Sequence, residues 1–244
     1  MSNSFFQFKQ FLIHQDRCAM KVTTDACLFG AWAANESQKS KLKIKNVLDI
    51  GAGTGLLSLM LAQKNSSCTI DAIEIDDEAY QQAQENMAAS PFAERTHIMH
   101  GDAKTFPFTK KYDLIISNPP FYEKEIKSSD KKKNIAHHHS GLSLDKLMGV
   151  IKSNLSSHGI FYLLLPFKRS KEVETMLLKQ KLFVSKIVFV KQSTKHDYFR
   201  VMIQGKLHNE NTPETFIEEI SVWDDRQQYT DEFKELLKDY YLKV

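Results

Sequence analysis

The feature that most constrains the fold is a regular alternation of short apolar strands and helical segments. The strand patterns "KNVLDI" (45–50) and "CTIDAIEI" (68–75) are each followed by a helical pattern, "LLSLMLAQK" (56–64) and "DDEAYQQAQENMAAS" (76–90). Strands that alternate with helices in this way are typical of a parallel sheet with helices on both faces. We therefore predict an α/β fold with a doubly wound, mostly parallel sheet.

The alternation continues beyond this first part and then changes. "THIMHGD", "YDLIIS" and "GIFYLLLP" predict further strands, and 143–155 and 168–181 predict helices. "FVSKIVFVKQ" and "YFRVMIQGKL" follow each other without a helix, which predicts an antiparallel pair. We predict one domain made of an N-terminal hairpin and helix (1–44), a core (45–206) and a C-terminal strand and helix (207–244).

Composition places the chain among ordinary globular proteins. Its 244 residues are 42% hydrophobic and 26% charged, and no apolar run approaches the roughly 20 residues of a membrane helix. The first residues lack the pattern of a secretory signal. The three cysteines, Cys18, Cys27 and Cys68, are odd in number and lack CxxC spacing, so we expect reduced thiols and neither a disulfide framework nor a metal site. We expect a cytoplasmic, monomeric protein.

Charge is unevenly distributed, although the net charge is only +3. Basic residues are in excess over 168–206, whereas acidic residues are in excess over 49–103 and 207–244. Such segregation indicates a basic surface for a polyanion beside an acidic part with another role. The alternative is that the charged blocks are only solvated faces.

A glycine-rich turn follows the first strand of the core. In "DIGAGTG", Gly51, Gly53 and Gly55 allow a tight turn and a close approach of backbone N–H groups to a ligand. Dinucleotide folds use similar turns, but their spacing is GxGxxG. Asp49 would also repel a pyrophosphate, whereas it would attract the ammonium of an amino-acid-like ligand.

Two more acidic residues follow the next two strands. Glu74 closes the second strand, where a carboxylate can bind the hydroxyls of a ribose. Asp102 follows the third strand, where it can accept a hydrogen bond from an adenine amino group. Each is explained equally well as a solvated acid at a strand end, but together with the glycines they favour a nucleoside cofactor.

This combination resembles the class I S-adenosylmethionine-dependent methyltransferases. The resemblance implies a Rossmann-like, seven-stranded sheet and S-adenosylmethionine as the cofactor. It also implies that Asp49 and the glycines flank the methionine part, that Glu74 binds the ribose and that Asp102 binds the adenine.

The segment "NPPF" directly follows the fourth strand. Proline is poorly tolerated inside strands, so an isolated NPPF would be interpreted as a strand-terminating turn. In an open α/β sheet, however, this strand end is where ligands bind. Asn118 and the carbonyl of Pro119 can accept the two N–H groups of a planar amino group, and they stabilise the positive charge that it gains as it attacks a methyl group. Pro120 stiffens the turn, and Phe121 offers a face for stacking a base.

Motifs of this type resemble those of several amino-group methyltransferases, which act on adenine N6, guanine N2, cytosine N4 or a glutamine amide. The stretch 6–33, "FQFKQFLIHQDRCAMKVTTDACLFGAWA", narrows the choice. Together with the closing "YTDEFKELLKDYYLKV", it resembles the bacterial valine-tRNA adenine-N6 methyltransferases, which modify the adenine 3′ of the anticodon. This resemblance implies that Lys21, Thr23 and Asp25 lie over the cofactor and that "LFGAW" (28–32) begins the covering helix.

The substrate implied by the resemblance is a tRNA, held by its anticodon arm on basic patches. The candidate cations are Lys9, Arg17, Lys131–Lys133, Lys168, Arg169, Lys195 and Arg200. One departure from the family lies in "AHHHSGLSL", where His137 replaces an arginine and His138 matches a histidine.

We predict an S-adenosylmethionine-dependent tRNA (adenine-N6)-methyltransferase. One alternative is a methyltransferase that acts on guanine N2 of rRNA or on a protein glutamine amide. Another is an RNA-binding protein that keeps a vestigial cofactor fold.

Overall fold

The computed structural model describes residues 3–120, 142–208 and 214–243. Within these ranges the strands are β1 (Phe5–Gln7), β2 (Leu12–His14), β3 (Asn46–Ile50), β4 (Thr69–Glu74), β5 (Thr96–His100), β6 (Tyr112–Ser117), β7 (Leu155–Pro166), β8 (Leu182–Ser193), β9 (Tyr198–Leu207) and β10 (Phe216–Trp223). The α-helices in the same ranges are α1 (Thr24–Lys39), α2 (Leu56–Lys64), α3 (Asp77–Ala88), α4 (Leu144–Asn154), α5 (Ser170–Lys179) and α6 (Asp231–Leu237).

Strands β3 to β10 form one eight-stranded sheet in the order β10-β8-β9-β7-β6-β3-β4-β5. Only β9 runs against its neighbours, β7 and β8, so the predicted antiparallel pair of β8 and β9 is confirmed. The predicted α/β class with a mostly parallel sheet is also confirmed. The sheet contains one strand more than the seven predicted, because β10 pairs in parallel with β8 and extends the edge.

Hydrophobic cores lie on both faces of the sheet. One core contains buried residues of α1, α2 and α6, and the other contains those of α4 and α5. Leu28, Phe29 and Trp32 are buried in the first core. Helix α1 begins before Leu28, the start expected from the resemblance, because the side chain of Thr23 caps the helix and accepts a hydrogen bond from the Ala26 N–H.

The N-terminal hairpin of β1 and β2, which the sequence predicted, is bonded to α3 through the buried amide of Asn86. The Nδ2 group of Asn86 on α3 donates to the carbonyls of His14 and Thr54, both at 2.9 Å, while its Oδ1 accepts from the His14 N–H at 2.9 Å. The hairpin, α3 and the glycine-rich turn therefore hold one another in place.

The division of the chain at residues 44 and 206 stays a prediction.

Candidate active site

The candidate site lies where three neighbouring strands end. Strand β3 lies between β4 and β6, and all three run in the same direction, so their carboxyl ends meet at one edge. Asp49 lies near the end of β3, Glu74 ends β4 and Asn118 directly follows β6. This edge is the topological switch point at which open α/β sheets bind ligands.

The glycine-rich turn between β3 and α2 requires a left-handed backbone. The φ angles of Gly51 and Gly53 are +73° and +54°. A Cβ on either residue would meet no described atom within 4 Å, so glycine is needed for the backbone conformation and not for lack of room. The space beside the turn is therefore open to a ligand.

Glu74 fixes this turn through its carboxylate. One oxygen accepts the Gly53 N–H at 2.9 Å, and the other accepts the N–H groups of Ile75 and Asp76 at 2.9 and 3.0 Å. A carboxylate has about four lone-pair sites, and three are already used here. Glu74 therefore has room for about one further donor, whereas the sequence suggested that it binds both hydroxyls of a ribose.

Asp49 is fully buried and only half satisfied. Its Oδ2 accepts the N–H of Ser58 at 3.1 Å and the hydroxyl of Ser58 at 2.7 Å, whereas its Oδ1 has no partner among the described residues. Burial raises the pKa of Asp49 to about 7, against the lowering effect of the Ser58 donors, and the negative charge of Glu74 raises it further. A cationic group bound here would satisfy the second oxygen.

Asp102 lies two residues beyond β5 and is partly exposed. Its Oδ2 is 3.0 Å from the ammonium of Lys104, and its Oδ1 accepts the Lys104 N–H at 3.0 Å. The N–H of Gly101 donates to the Glu74 carbonyl, which ties this turn to the end of β4. An amino group bound at Asp102 would therefore share the carboxylate with Lys104.

Asn118 carries the second buried oxygen at this edge that has no partner among the described residues, its Oδ1. Pro119 is buried and Pro120 exposed, and just before them the hydroxyl of Ser117 donates to the Ile50 carbonyl at 2.7 Å, which joins the ends of β6 and β3. A buried acceptor without a donor costs free energy, so this oxygen is prepared for a donor from a ligand.

Several predicted residues lie outside the described residues. They are Phe121, Lys131–Lys133, His137 and His138. In the part of the chain that the structure describes, no group of three His, Cys, Asp or Glu side chains could hold a metal ion. All three cysteines are buried and free.

The residues expected over the cofactor cluster at the start of α1. Lys21 is exposed just before the helix, and Thr23 is its N-cap. Asp25, in the first turn, forms an ion pair with Arg200 of β9, whose Nε lies 2.7 Å from the carboxylate. The ion pair joins the first turn of α1 to strand β9.

The cations predicted to bind RNA differ in their surroundings. Arg17 is paired with Glu85, Arg169 makes two hydrogen bonds to Glu172, and Arg200 is paired with Asp25. Lys195 is exposed. Three of these cations thus form ion pairs that the sequence did not indicate.

Two supporting residues were missed by the sequence analysis. Ser58 holds Asp49, and Asn86 holds the hairpin against the glycine-rich turn. Both are buried polar residues within helices. For Ser58 the available signal was a single polar residue inside an apolar helical stretch, "LLSLMLA", whereas no such signal marks Asn86 in "QQAQENMA".

Comparison with known proteins agrees with this geometry. Residues 35–177 match the family model of the methyltransferase small domain. The fold is similar to that of a predicted O-methyltransferase from Agrobacterium tumefaciens (TM-score 0.65, 13% identity, covering 87% of this chain and 95% of that one). It is also similar to the glycopeptide N-methyltransferase MtfA in complex with S-adenosylmethionine (TM-score 0.54, 13% identity, covering 74% and 88%).

Two relatives are similar over the whole chain. A tRNA1(Val) (adenine(37)-N6)-methyltransferase from Christiangramia forsetii is 40% identical, with 100% of both chains covered. One with the same name from Dyadobacter fermentans is 41% identical, with 99% of this chain and 98% of that protein covered. Because identity at this level extends over the full length, the chain belongs to the tRNA1(Val) (adenine(37)-N6)-methyltransferase family.

Proposed function

We infer that this protein transfers a methyl group from S-adenosylmethionine to the N6 amino group of adenine 37 in tRNA1(Val), the reaction for which its full-length relatives are named. The observation that carries the inference is the Oδ1 of Asn118 after the end of β6, beside the glycine-rich turn that follows β3, which is buried and has no partner among the described residues. The relatives' names speak against the guanine-N2, glutamine-amide and non-catalytic alternatives.

The residues around the turn fit the cofactor. The open space at Gly51 and Gly53 and the unpartnered oxygen of Asp49 suit an amino-acid part with an ammonium group. In this proposal Asp49, Gly51, Gly53 and Gly55 hold the methionine part.

Glu74 and Asp102 complete the proposed cofactor site. Glu74 accepts one ribose hydroxyl on its remaining lone pair, and Asp102 accepts from the adenine amino group. Lys21, Thr23 and Asp25 support the site from the start of α1, Thr23 by capping the helix and Asp25 by its ion pair with Arg200. When bound, S-adenosylmethionine supplies an activated methyl group on a positively charged sulfur.

Asn118 and Pro119 act on the target amino group in this proposal. The Oδ1 of Asn118 and the carbonyl of Pro119 each accept one N–H, which orients the nitrogen lone pair. As the nitrogen becomes tetrahedral and positively charged, these acceptors bind it more strongly than the planar ground state, and this difference lowers the barrier. Pro120 stiffens the turn, and Phe121 provides a face for the adenine. No general base is needed, because the product ammonium is acidic enough to lose its proton to water.

Since the substrate is a tRNA, we propose that the protein works in the cytoplasm as a monomer and binds the anticodon arm through basic residues. No helix in the described parts of the chain is long and apolar enough to cross a membrane.

Mass spectrometry tests the proposed function. Valine tRNA is incubated with the protein and cofactor labelled in its methyl group, and the digested nucleosides are analysed. We expect labelled N6-methyladenosine at position 37 and no product from a tRNA with guanine at that position. Label in another nucleoside, or in a glutamine peptide only, would overturn the assignment.

A further inference from the structure

Three aromatic side chains form a cluster at the rim of the sheet, which we call the rim cluster. Phe167 directly follows β7, Phe189 lies on β8 and Tyr198 begins β9. The ring centroids are 5.5 Å apart for the two phenylalanines, and each lies 5.1 Å from that of Tyr198. All three side chains are only half-buried, so part of this aromatic surface faces solvent.

The rim cluster lies at the same edge of the sheet as Asn118. Ser117, the last residue of β6, lies opposite Leu163 of β7, and β7 continues to Pro166. The rise along a strand and the spacing between strands place Pro166 roughly 11 Å from Ser117, beyond the end of β6. Phe167 is the next residue, so the rim cluster stands beside the candidate catalytic turn.

The surroundings of the rim cluster are basic. The ammonium of Lys191 lies 4.9 Å from the ring centroid of Tyr198, a cation–π contact, and Lys171 and Lys195 are exposed nearby in sequence. Glu219 offsets part of this charge, since it pairs with Lys191 at 3.4 Å and accepts the Tyr198 hydroxyl at 2.5 Å. Basic residues still outnumber acidic ones clearly over 168–206.

Aromatic rings between cations are the combination that binds single-stranded nucleic acid. Each base can stack on an aromatic face, while the cations attract the phosphates. An enzyme that acts on an amino group of a base must take that base out of its stack, and this exposes the faces of the neighbouring bases. A surface beside the catalytic turn that replaces the lost stacking would hold the loop open.

We propose that the rim cluster is a stacking platform for a nucleotide of the anticodon loop that lies within about three positions of the methylated adenine. The proposal rests on the proposed function and names the surface that recognises the RNA beyond the target base. The separation of roughly 11 Å corresponds to about three nucleotides at the 3.4 Å rise of a stacked strand, so one loop can reach both places.

The test compares variants that keep an apolar side chain but lose the aromatic face. Phe167→Leu and Tyr198→Leu are made singly and together, and Phe216→Leu is the matched control. Phe216 is 67% exposed and starts β10 at the opposite edge of the sheet, opposite Lys186. Affinity is measured with a fluorescent RNA hairpin that carries the anticodon loop of valine tRNA.

We expect the combined variant to bind the hairpin about tenfold or more weakly, the range that loss of base stacking gives. The slope of log affinity against log salt should not change, because no phosphate contact is removed. Cofactor affinity in calorimetry should stay at the wild-type value. Phe216→Leu should bind the hairpin like the wild type.

Hairpins with a single abasic nucleotide at each of about three positions on either side of the target adenine identify the stacked base. If the platform exists, one abasic hairpin binds the wild type weakly, and the combined variant then causes little further loss. Additive losses, wild-type affinity of the combined variant or a reduced salt slope would each overturn the platform. If the combined variant does not fold, Tyr198→Phe and Tyr198→Leu decide the matter, since only the leucine variant should lose affinity.

The outcome separates this proposal from the proposed function. Failure of the wild type to methylate valine tRNA would contradict the proposed function, while the hairpin measurements would still test the platform. Normal methylation with unaffected hairpin binding in all variants would remove the platform alone. In that case the rim cluster would be a surface for a protein partner or a purely structural cluster.

Discussion

The acidic segment 49–103 and the basic segment 168–206 lie on different sides of the turn that carries Asn118, and they use their charges differently. In the acidic segment, the carboxylates of Asp49 and Glu74 are buried and bonded to donors of the protein. In the basic segment, Lys191 lies against the partly exposed ring of Tyr198, and Lys171 and Lys195 are exposed. In our proposals, the charge segregation along the chain therefore corresponds to two kinds of surface: a preorganised pocket for the cofactor and an open platform for RNA.

The difference also predicts how substitutions in each of the two segments affect folding and binding. Loss of a buried carboxylate leaves backbone donors without acceptors, so it should affect both folding and cofactor affinity. Loss of a rim lysine should affect only RNA affinity, and only at low to moderate salt. Asn118 lies between the acidic and the basic segment. Its substitution should change neither the cofactor affinity nor the RNA affinity strongly.

The largest expected effect is a loss of turnover on substitution of Asn118, which lies between the acidic and the basic segment. Asn118→Ala should reduce turnover about a hundredfold or more, because the lost contact strengthens in the transition state. Thermal stability should change little, since the Oδ1 has no partner within the described residues. Cofactor affinity in calorimetry should stay near the wild-type value. The matched variant Asn118→Asp keeps an acceptor and should retain more activity, and equal activity of both variants would contradict the role of the acceptor.

The second largest effect is expected on cofactor affinity, for a substitution in the acidic segment. Glu74→Ala should weaken S-adenosylmethionine binding by about 1.5–3 kcal/mol, the cost of losing hydrogen bonds to a charged acceptor. It should also lower the melting temperature, because Gly53, Ile75 and Asp76 lose their common acceptor. Calorimetry and thermal melting measure the two effects separately. A normal cofactor affinity with a lowered melting temperature would show that Glu74 only supports the turn.

A third prediction uses the raised pKa of Asp49. Burial raises this pKa to about 7 in the folded protein, against about 4 when unfolded, so the folded protein binds more protons between these values. The contribution of Asp49 to stability should therefore fall as pH rises from about 4 to 7, by on the order of 4 kcal/mol, without cofactor. Urea unfolding at several pH values measures it. Asp49→Asn should lack this component, and an identical pH dependence in both proteins would refute it.

The smallest effect is expected on the salt dependence of RNA affinity, for a substitution in the basic segment. Lys195→Gln should lower the slope of log RNA affinity against log salt by roughly one, if this exposed lysine contacts a phosphate. Arg200→Gln should leave the slope unchanged, because Arg200 is paired with Asp25, but it should lower stability by about 1 kcal/mol. Fluorescence titrations at several salt concentrations measure both slopes. A reduced slope for Arg200→Gln would mean that its ion pair opens to bind RNA.

Local patterns predicted most of the fold and the strand ends of the site. The helix predicted over 56–64 is α2 with the same bounds, because an apolar run that follows a glycine turn has few other structures. The sequence did not predict that β10 joins the large sheet as its eighth strand. The first four residues of β10 are exposed, so its sequence does not state which sheet it joins.

Contacts between distant segments could not be predicted. Asp25 and Arg200 are separated by 175 residues, and only the folded sheet brings β9 beside α1. The three donors on Glu74 come from backbone N–H groups, which every residue except proline carries, so no sequence pattern marks them.

A structure of the protein with the demethylated cofactor and the anticodon hairpin tests the central claim most directly. The account predicts the exocyclic nitrogen of adenine 37 within about 2.7–3.2 Å of the Asn118 Oδ1, with the cofactor on the acidic side and the flanking nucleotide on the basic side. An adenine whose amino group is held by other residues, with Asn118 turned away from it, would contradict the account.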